Sequence, residues 1–289
     1  MIFELNQKII LFLLICITEE RRNSKNFTNI TNSKDITPGD LFIAIKGLTV
    51  DGHDYISKSI ELGAKSIVVE EFPKEIIEGI CYVKVESSSY SMSVIASNYF
   101  DNPSSKIKLV GVTGTNGKTT TAFLVKSILE NANLKVALIG TLGLIAKDFK
   151  YQKTLTTPDP IALHKILHDL NAVGFSHIVM EVSSHGIDQK RVTGLQFQGA
   201  IFSNLTHDHL DYHSTFKAYR DSKKKLFDGL NNTAFALVNS DDKNAKVMVQ
   251  NCKAKIYTYA LHSYADYSAK VLESQFKGCL LYTSDAADE

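Results

Sequence analysis

The sequence predicts an α/β protein built on a mostly parallel sheet, and three observations carry that expectation. Apolar runs of strand length alternate with amphipathic runs of helix length along most of the chain. The strand-length runs are apolar throughout, as in strands covered on both faces. A glycine-rich turn at 111–117 joins one such run to a long helical pattern, the context in which α/β sheets bind anions.

The 289 residues, 44% hydrophobic and 22% charged, suffice for one large or two ordinary domains with buried cores. That composition excludes a disordered or collagen-like chain. With 32 Lys+Arg against 31 Asp+Glu, bulk charge recruits neither nucleic acid nor an anionic membrane, so any bound anion is held locally. Cys16, Cys81, Cys252 and Cys279 contain no C-x-x-C pair. They are read as reduced thiols in a cytoplasmic protein, not as a disulfide framework or zinc knot. The apolar run Ile9 to Ile17 is too short for a bilayer span, which needs about 20 residues. Thr18-Glu19-Glu20-Arg21-Arg22 after it is no signal cleavage site, so a buried strand or helix is expected there.

In order, strands are expected at Leu41–Ile45, Ser66–Val69 and Cys81–Val85, with helices at Tyr55–Leu62, closed by Gly63, and at Ser91–Phe100. Asp101-Asn102-Pro103-Ser104-Ser105 is rich in turn formers and marks a domain boundary, giving a first domain over 1–105. The second, over 106–279, opens with a strand at Ile107–Val112 and a helix at Lys118–Asn131, with Phe123, Ile128 and Leu129 among its apolar positions. Strands at Val136–Ile139, His177–Met180, Ala200–Phe202 and Ala234–Val238 follow. Residues 280–289 carry no element signal and are set apart as a tail of doubtful origin.

Gly111-Val112-Thr113-Gly114-Thr115-Asn116-Gly117-Lys118-Thr119-Thr120 is a variant P-loop. Gly111 stands one place before the position where the strict pattern has its first glycine. Gly114, Thr115, Asn116, Gly117, Lys118, Thr119 and Thr120 are the expected nucleotide-binding residues, with backbone N–H groups and the helix N-terminus cradling phosphates, Lys118 neutralising the β/γ-phosphates and Thr119 reaching Mg²⁺. Glu181 closes a strand where such sheets place a metal-binding carboxylate, although an acid that merely caps a helix reads the same. His207-Asp208-His209-Leu210-Asp211-Tyr212-His213 gathers three imidazoles and two carboxylates. It admits a zinc hydrolase built on His207, His209 and His213, with Tyr212 breaking the usual spacing. On a helix through Phe216–Phe227, Phe216, Tyr219, Lys223, Leu226 and Phe227 share one stripe, Lys225 points opposite and Lys224 lies on the flank. Lys223 alone faces inward, either as a snorkelling lysine or as a functional one, since a buried charge is costly unless paired or changed.

G-T-N-G-K-T-T at 114–120, T-T-P-D-P at 156–160, E-V-S-S-H-G-I-D-Q-K-R at 181–191 and N-L-T-H-D-H-L-D-Y-H at 204–213 together resemble the Mur ligases of peptidoglycan synthesis. T-N-S-K-D-I-T-P-G-D-L-F-I-A-I at 31–45 fits as well. Within that family the likeness is to members adding the third amino acid, meso-diaminopimelate or L-lysine, to UDP-N-acetylmuramoyl-L-alanyl-D-glutamate. The resemblance implies ATP-dependent amide synthesis through an acyl phosphate, with ATP and Mg²⁺ as cofactors. It makes Lys118, His209 and a carboxylated Lys223 catalytic, and it makes Thr119, Glu181, His209 and Lys223 the metal ligands. Ser33, Thr156, Thr157, Ser183, Gln189 and Arg191 become contacts of the UDP-sugar dipeptide. Leu155 stands where relatives often have Asn, and His207 where they often have Arg. A monomer is implied, with a third, C-terminal domain beyond residue 289. The competing expectations are the zinc hydrolase and an inactive nucleotide-binding fragment.

Overall fold

The computed structural model describes residues 2–4, 36–47, 49–149, 151, 155–275 and 278–285. The apolar run at 9–17, Cys16 and Ser33 lie outside those residues. The chain divides into two compact units, one comprising 1–103 with 160–166 and the other 104–159 with 167–289.

In the first unit, β1 (Ile2–Glu4), β2 (Leu41–Ile43), β3 (Ser66–Val69) and β4 (Cys81–Lys84) form a parallel sheet in the order β1-β4-β3-β2. Successive strand residues point to opposite faces. Phe42, Ile67, Val69 and Tyr82 therefore join Ile56 of helix α1 (Ile56–Glu61) in one core cluster. Leu41, Ile43, Val68 and Val83 join Met92, Ile95 and Ala96 of α2 (Ser88–Tyr99) in another. Helix α2 starts where it does because Ser87 accepts the Tyr90 N–H and Glu70 Oε1 accepts the Ser88 N–H at 2.8 Å.

The second unit carries a nine-stranded sheet in the order β13-β12-β11-β10-β9-β5-β8-β6-β7. Its strands are β5 (Lys108–Thr113), β6 (Val136–Gly140), β7 (Gly143–Ile145), β8 (His177–Glu181), β9 (Phe197–Phe202), β10 (Phe235–Asn239), β11 (Lys255–Ala260), β12 (Tyr267–Gln275) and β13 (Gly278–Asp285). All pairs are parallel except β6 with β7 and β12 with β13. The central strands are buried almost throughout, which explains their unbroken apolar sequence. Val110, Val112, Val136, Leu138, Val179 and Ile201 pack with Ala122 of α3 (Lys118–Asn131). The chain passes from β8 on one side of β5 to β9 on the other, so the crevice at the carboxyl ends of these strands is the topological switch point. The remaining helices are α4 (Pro160–Ala172), α5 (Ser184–Asp188), α6 (Leu210–His213), α7 (Phe216–Asp228) and α8 (Ala245–Met248).

Two expectations need correction. Residues 280–285 are not without structure: they belong to β13, antiparallel to β12, with Val271 opposite Leu281 and Tyr267 opposite Asp285. Leu280, Leu281, Tyr282 and Thr283 are strand-forming residues whose signal was masked because a hairpin strand depends on its partner. On α7, Lys223 is not alone in facing inward. Lys224 is also buried, and its ammonium lies 2.6 Å from Asp228 Oδ1 one turn on. A partner at i+4 lets a flank lysine enter the protein, which face periodicity alone does not reveal.

Candidate active site

The site lies within the second unit, at the carboxyl ends of β5, β8 and β9. Strand β5 runs into the turn Gly114–Gly117, and Gly117, at φ +81°, starts α3 in a left-handed conformation suited to glycine. At Gly114 a Cβ would fall on Ser203 Oγ with the Asn204 main chain behind it, so only glycine allows this approach. Lys118 folds back over the turn, its Nζ 3.1 Å from Gly114 O and 2.8 Å from Thr115 O. Burial draws its pKa below the usual lysine value, against the opposing charges of Glu181 and Asp208.

Glu181 ends β8 with no exposed surface. Its carboxylate accepts Thr119 Oγ1–H at 2.9 Å, the Thr141 N–H at 3.0 Å and Thr141 Oγ1–H at 3.1 Å. Gly140 makes room for it, because a Cβ there would collide with Glu181 Oε1. Thr141 was missed by sequence reasoning, and the Gly-Thr pair leaving an apolar strand is the signal that marks it. The hydroxyl of Thr119 beside a buried carboxylate is a pair of hard oxygen donors and fits a magnesium ion.

Lys223 reaches this turn from α7, whose start is fixed by Thr215 accepting the Ala218 N–H. Lys223 is 1% exposed, and its ammonium donates to Gly114 O at 2.8 Å and stands 4.8 Å from the centre of the Tyr219 ring. Burial, with the Lys118 charge added, lowers its pKa to about 7 despite the nearby Asp208 carboxylate. Two lysines thus converge on one carbonyl oxygen, and burial favours the uncharged amine of the second more than in an ordinary lysine.

His209 is the left-handed N-cap of the short helix α6, with an exposed side chain. Its ring centroid lies 4.8 Å from that of His185 and 6.0 Å from that of Tyr219. His185 also meets Tyr212 and His213, a cluster the sequence did not reveal. Burial holds the His185 and His213 pKa values below the ordinary imidazole value, with the His209 charge acting in the same direction on both. The zinc-hydrolase expectation is not favoured. The His207 ring packs on Phe216, at 4.8 Å, while His209 and His213 pack around His185. Among the described residues no group of three or more His, Cys, Asp or Glu side chains is placed to hold a metal.

Thr156, Thr157, Ser183, Gln189 and Arg191 form one hydrogen-bonded run beside Glu181. Thr156 Oγ1 is 3.3 Å from Thr141 Oγ1. Thr157 is fully buried, and its Oγ1 donates to Glu181 O at 3.1 Å and accepts the Ser183 N–H at 3.0 Å. Ser183 Oγ caps α5 by accepting the Gly186 N–H. Arg191 donates to Thr157 O at 2.9 Å and to Gln189 Oε1, and Gln189 Nε2 donates to Tyr212 OH at 3.3 Å.

Comparison with known proteins bears on this geometry. The family profile described as the Mur ligase middle domain matches residues 112–287, and that of the Mur ligase family catalytic domain matches 29–112. A UDP-N-acetylmuramoyl-L-alanyl-D-glutamate–2,6-diaminopimelate ligase of Cytophaga hutchinsonii is 45% identical over 273 residues, 94% of this chain and 56% of its own length. The ligase of the same name from Phocaeicola vulgatus is 48% identical over 250 residues, 86% of this chain and 52% of its own length. The chain thus spans about half the length of the curated relatives it matches. A solved structure of such a diaminopimelate ligase aligns with TM-score 0.74 and 26% identity, covering 88% of this chain and 53% of that one. MurF ligase from Thermotoga maritima in complex with ADP, at TM-score 0.56 and 22% identity, covers 88% of this chain and 56% of its own, and shares the fold.

Proposed function

The chain belongs to the Mur ligase family, and we propose on that footing that it serves ATP-dependent amide-bond synthesis in peptidoglycan precursor assembly. The reaction joins 2,6-diaminopimelate to the D-glutamyl carboxylate of UDP-N-acetylmuramoyl-L-alanyl-D-glutamate, releasing ADP and phosphate. The observation that carries this reading is the convergence of Lys118 and Lys223 on Gly114 O, with Thr119 bonded to Glu181 alongside.

The chemical difficulty is that a carboxylate must attack a polyphosphate, and two anions repel. A carboxylate oxygen forms a bond to the γ-phosphorus as the bond to the β–γ bridging oxygen breaks, giving an acyl phosphate and ADP. The amine of the incoming amino acid then attacks the acyl carbon, phosphate leaves with the bonding electrons and the amine sheds a proton. Main-chain N–H groups at the start of α3 meet the phosphates. Lys118 exchanges its two carbonyl partners for phosphate oxygens and brings positive charge to the transferred group.

Thr119, Glu181, His209 and Lys223 would hold magnesium. When bound it supplies charge neutralisation between the two reacting anions. Lys223 acts as its carbamate: the neutral amine attacks carbon dioxide, a C–N bond forms and a proton is released, which a pKa of about 7 permits. Thr156, Thr157, Ser183, Gln189 and Arg191 would contact the UDP-sugar dipeptide, and Arg191 suits a carboxylate or phosphate oxygen. The first unit would serve as the sugar-nucleotide domain and the second, which takes in β13 beyond the expected boundary at 279, as the ATP domain of a cytoplasmic monomer. Among the described residues no helix is long and apolar enough to cross a membrane.

The test is incubation with ATP, the UDP-muramoyl dipeptide, and diaminopimelate or L-lysine in separate reactions. The expected result is an amide product with diaminopimelate and phosphate release that requires both acceptor and amine. Amine-independent ATP hydrolysis, with no amide formed, is the contrary result.

A further inference from the structure

We infer that Asn204 is a positioning residue for the phosphate-binding turn, and that Asn239 at the end of β10 and Asp242 in the turn after it hold Asn204 in place. This rests on reading Gly114–Thr120 as the phosphate site.

The side-chain amide of Asn204 engages both main-chain groups of one turn residue. Asn116 N donates to Asn204 Oδ1 at 3.0 Å, and Asn204 Nδ2 donates to Asn116 O at 3.1 Å. Among side chains of this reach, only a carboxamide carries a donor and an acceptor side by side. The neighbouring residues complete the clasp. Thr115 N donates to Asn204 O at 2.8 Å, Thr206 N to Thr115 Oγ1 at 2.9 Å, and Ser203 Oγ to Asn116 O at 2.7 Å. Segment 203–206 is itself anchored from β10 and the turn after it: Leu205 N donates to Asp242 Oδ2 at 2.7 Å and Asn239 Nδ2 to Ser203 O at 2.9 Å. Asp242 Oδ1 is fixed in turn by the N–H and side-chain amide of Asn244.

The physical consequence concerns preorganisation. Phosphate is recognised by peptide N–H groups whose directions are set by the peptide planes of the turn. The Thr115 and Asn116 N–H groups, expected from the sequence to meet phosphate, are both taken up by Asn204, which leaves the N–H groups at the start of α3 facing the ligand. Fixing the Asn116 plane before the ligand arrives removes an ordering cost that binding would otherwise bear.

The test compares Mg–ATP binding and amide hydrogen exchange for the parent chain, Asn204→Ala, Asp242→Ala and the double variant. Asn204→Ala is expected to weaken Mg–ATP binding about tenfold and Asp242→Ala about threefold, as one or two lost hydrogen bonds predict. Exchange at the Asn116 amide should accelerate in both variants by more than their loss of global stability accounts for. Because Asp242 acts through Asn204, the double variant should bind no worse than Asn204→Ala alone. A parent that binds no Mg–ATP overturns the phosphate reading and this inference with it. A parent that binds, with variants binding equally well or with Asn116 exchange unchanged, overturns the inference alone. So does a double variant whose losses simply add, or weakened binding that merely follows a lowered melting temperature.

Discussion

Replacing His164 by leucine is expected to stabilise the protein, increasingly so as the pH falls. His164 sits on α4 with no exposed surface, and neither ring nitrogen has a hydrogen-bond partner. Burial lowers its pKa from 6.5 to about 4. An unsatisfied buried donor costs about 1–3 kcal/mol, and leucine, apolar and a good helix former, removes that cost at any pH. The pH-dependent part has a definite sign. Below 6.5 the unfolded chain takes up a proton that the folded chain refuses until about pH 4, so stability is whole above 6.5 and lost progressively through that window. At about 1.4 kcal/mol per pH unit the full loss is about 3 kcal/mol, of which about 2 kcal/mol has accrued by pH 5. Urea unfolding of parent and His164→Leu at pH 8, 6.5 and 5 measures both parts. The variant should be more stable at pH 8, with the gap about 2 kcal/mol wider at pH 5. A variant less stable at pH 8, or a gap that does not change with pH, would refute the reasoning.

Gly114→Ala drives a methyl onto Ser203 Oγ, and calorimetric titration should show Mg–ATP affinity reduced roughly tenfold or more. Lys223→Ala should be nearly devoid of amide synthesis, and a short carboxylate such as acetate in the buffer should restore part of it; undiminished activity would remove Lys223 from the metal site. Asp241 accepts the main-chain N–H groups of Leu261 at 2.7 Å and Ser263 at 2.8 Å. Asp241→Ala should therefore cost about 1–3 kcal/mol in urea unfolding, with faster exchange at those two amides.

What the sequence disclosed was local. The helix Lys118–Asn131 is found at the expected residues, since a glycine turn, a lysine and an apolar repeat fall within one short window. Lys223 was singled out by the 100° spacing along its helix, and the structure buries it at 1% exposure. What stayed hidden depends on partners distant in sequence. Thr141 matters only because β6 and β8 run side by side and bring Glu181 against it. Asn204 and Asn116 are 88 residues apart, and no periodicity couples an asparagine side chain to a remote peptide. The burial of Lys224 required the Asp228 carboxylate one turn on. The β12–β13 hairpin required each strand to have the other.

The claim that ATP meets a carboxylate across magnesium is tested most directly by titrating ATP, with and without magnesium, into the parent protein and Glu181→Gln. The amide of glutamine keeps an acceptor for Thr119 Oγ1–H but removes the charge that attracts the cation. Magnesium should tighten ATP binding to the parent and leave binding to the variant unchanged, with metal-free affinities equal. Full magnesium enhancement in Glu181→Gln would contradict the placement of the metal at this carboxylate.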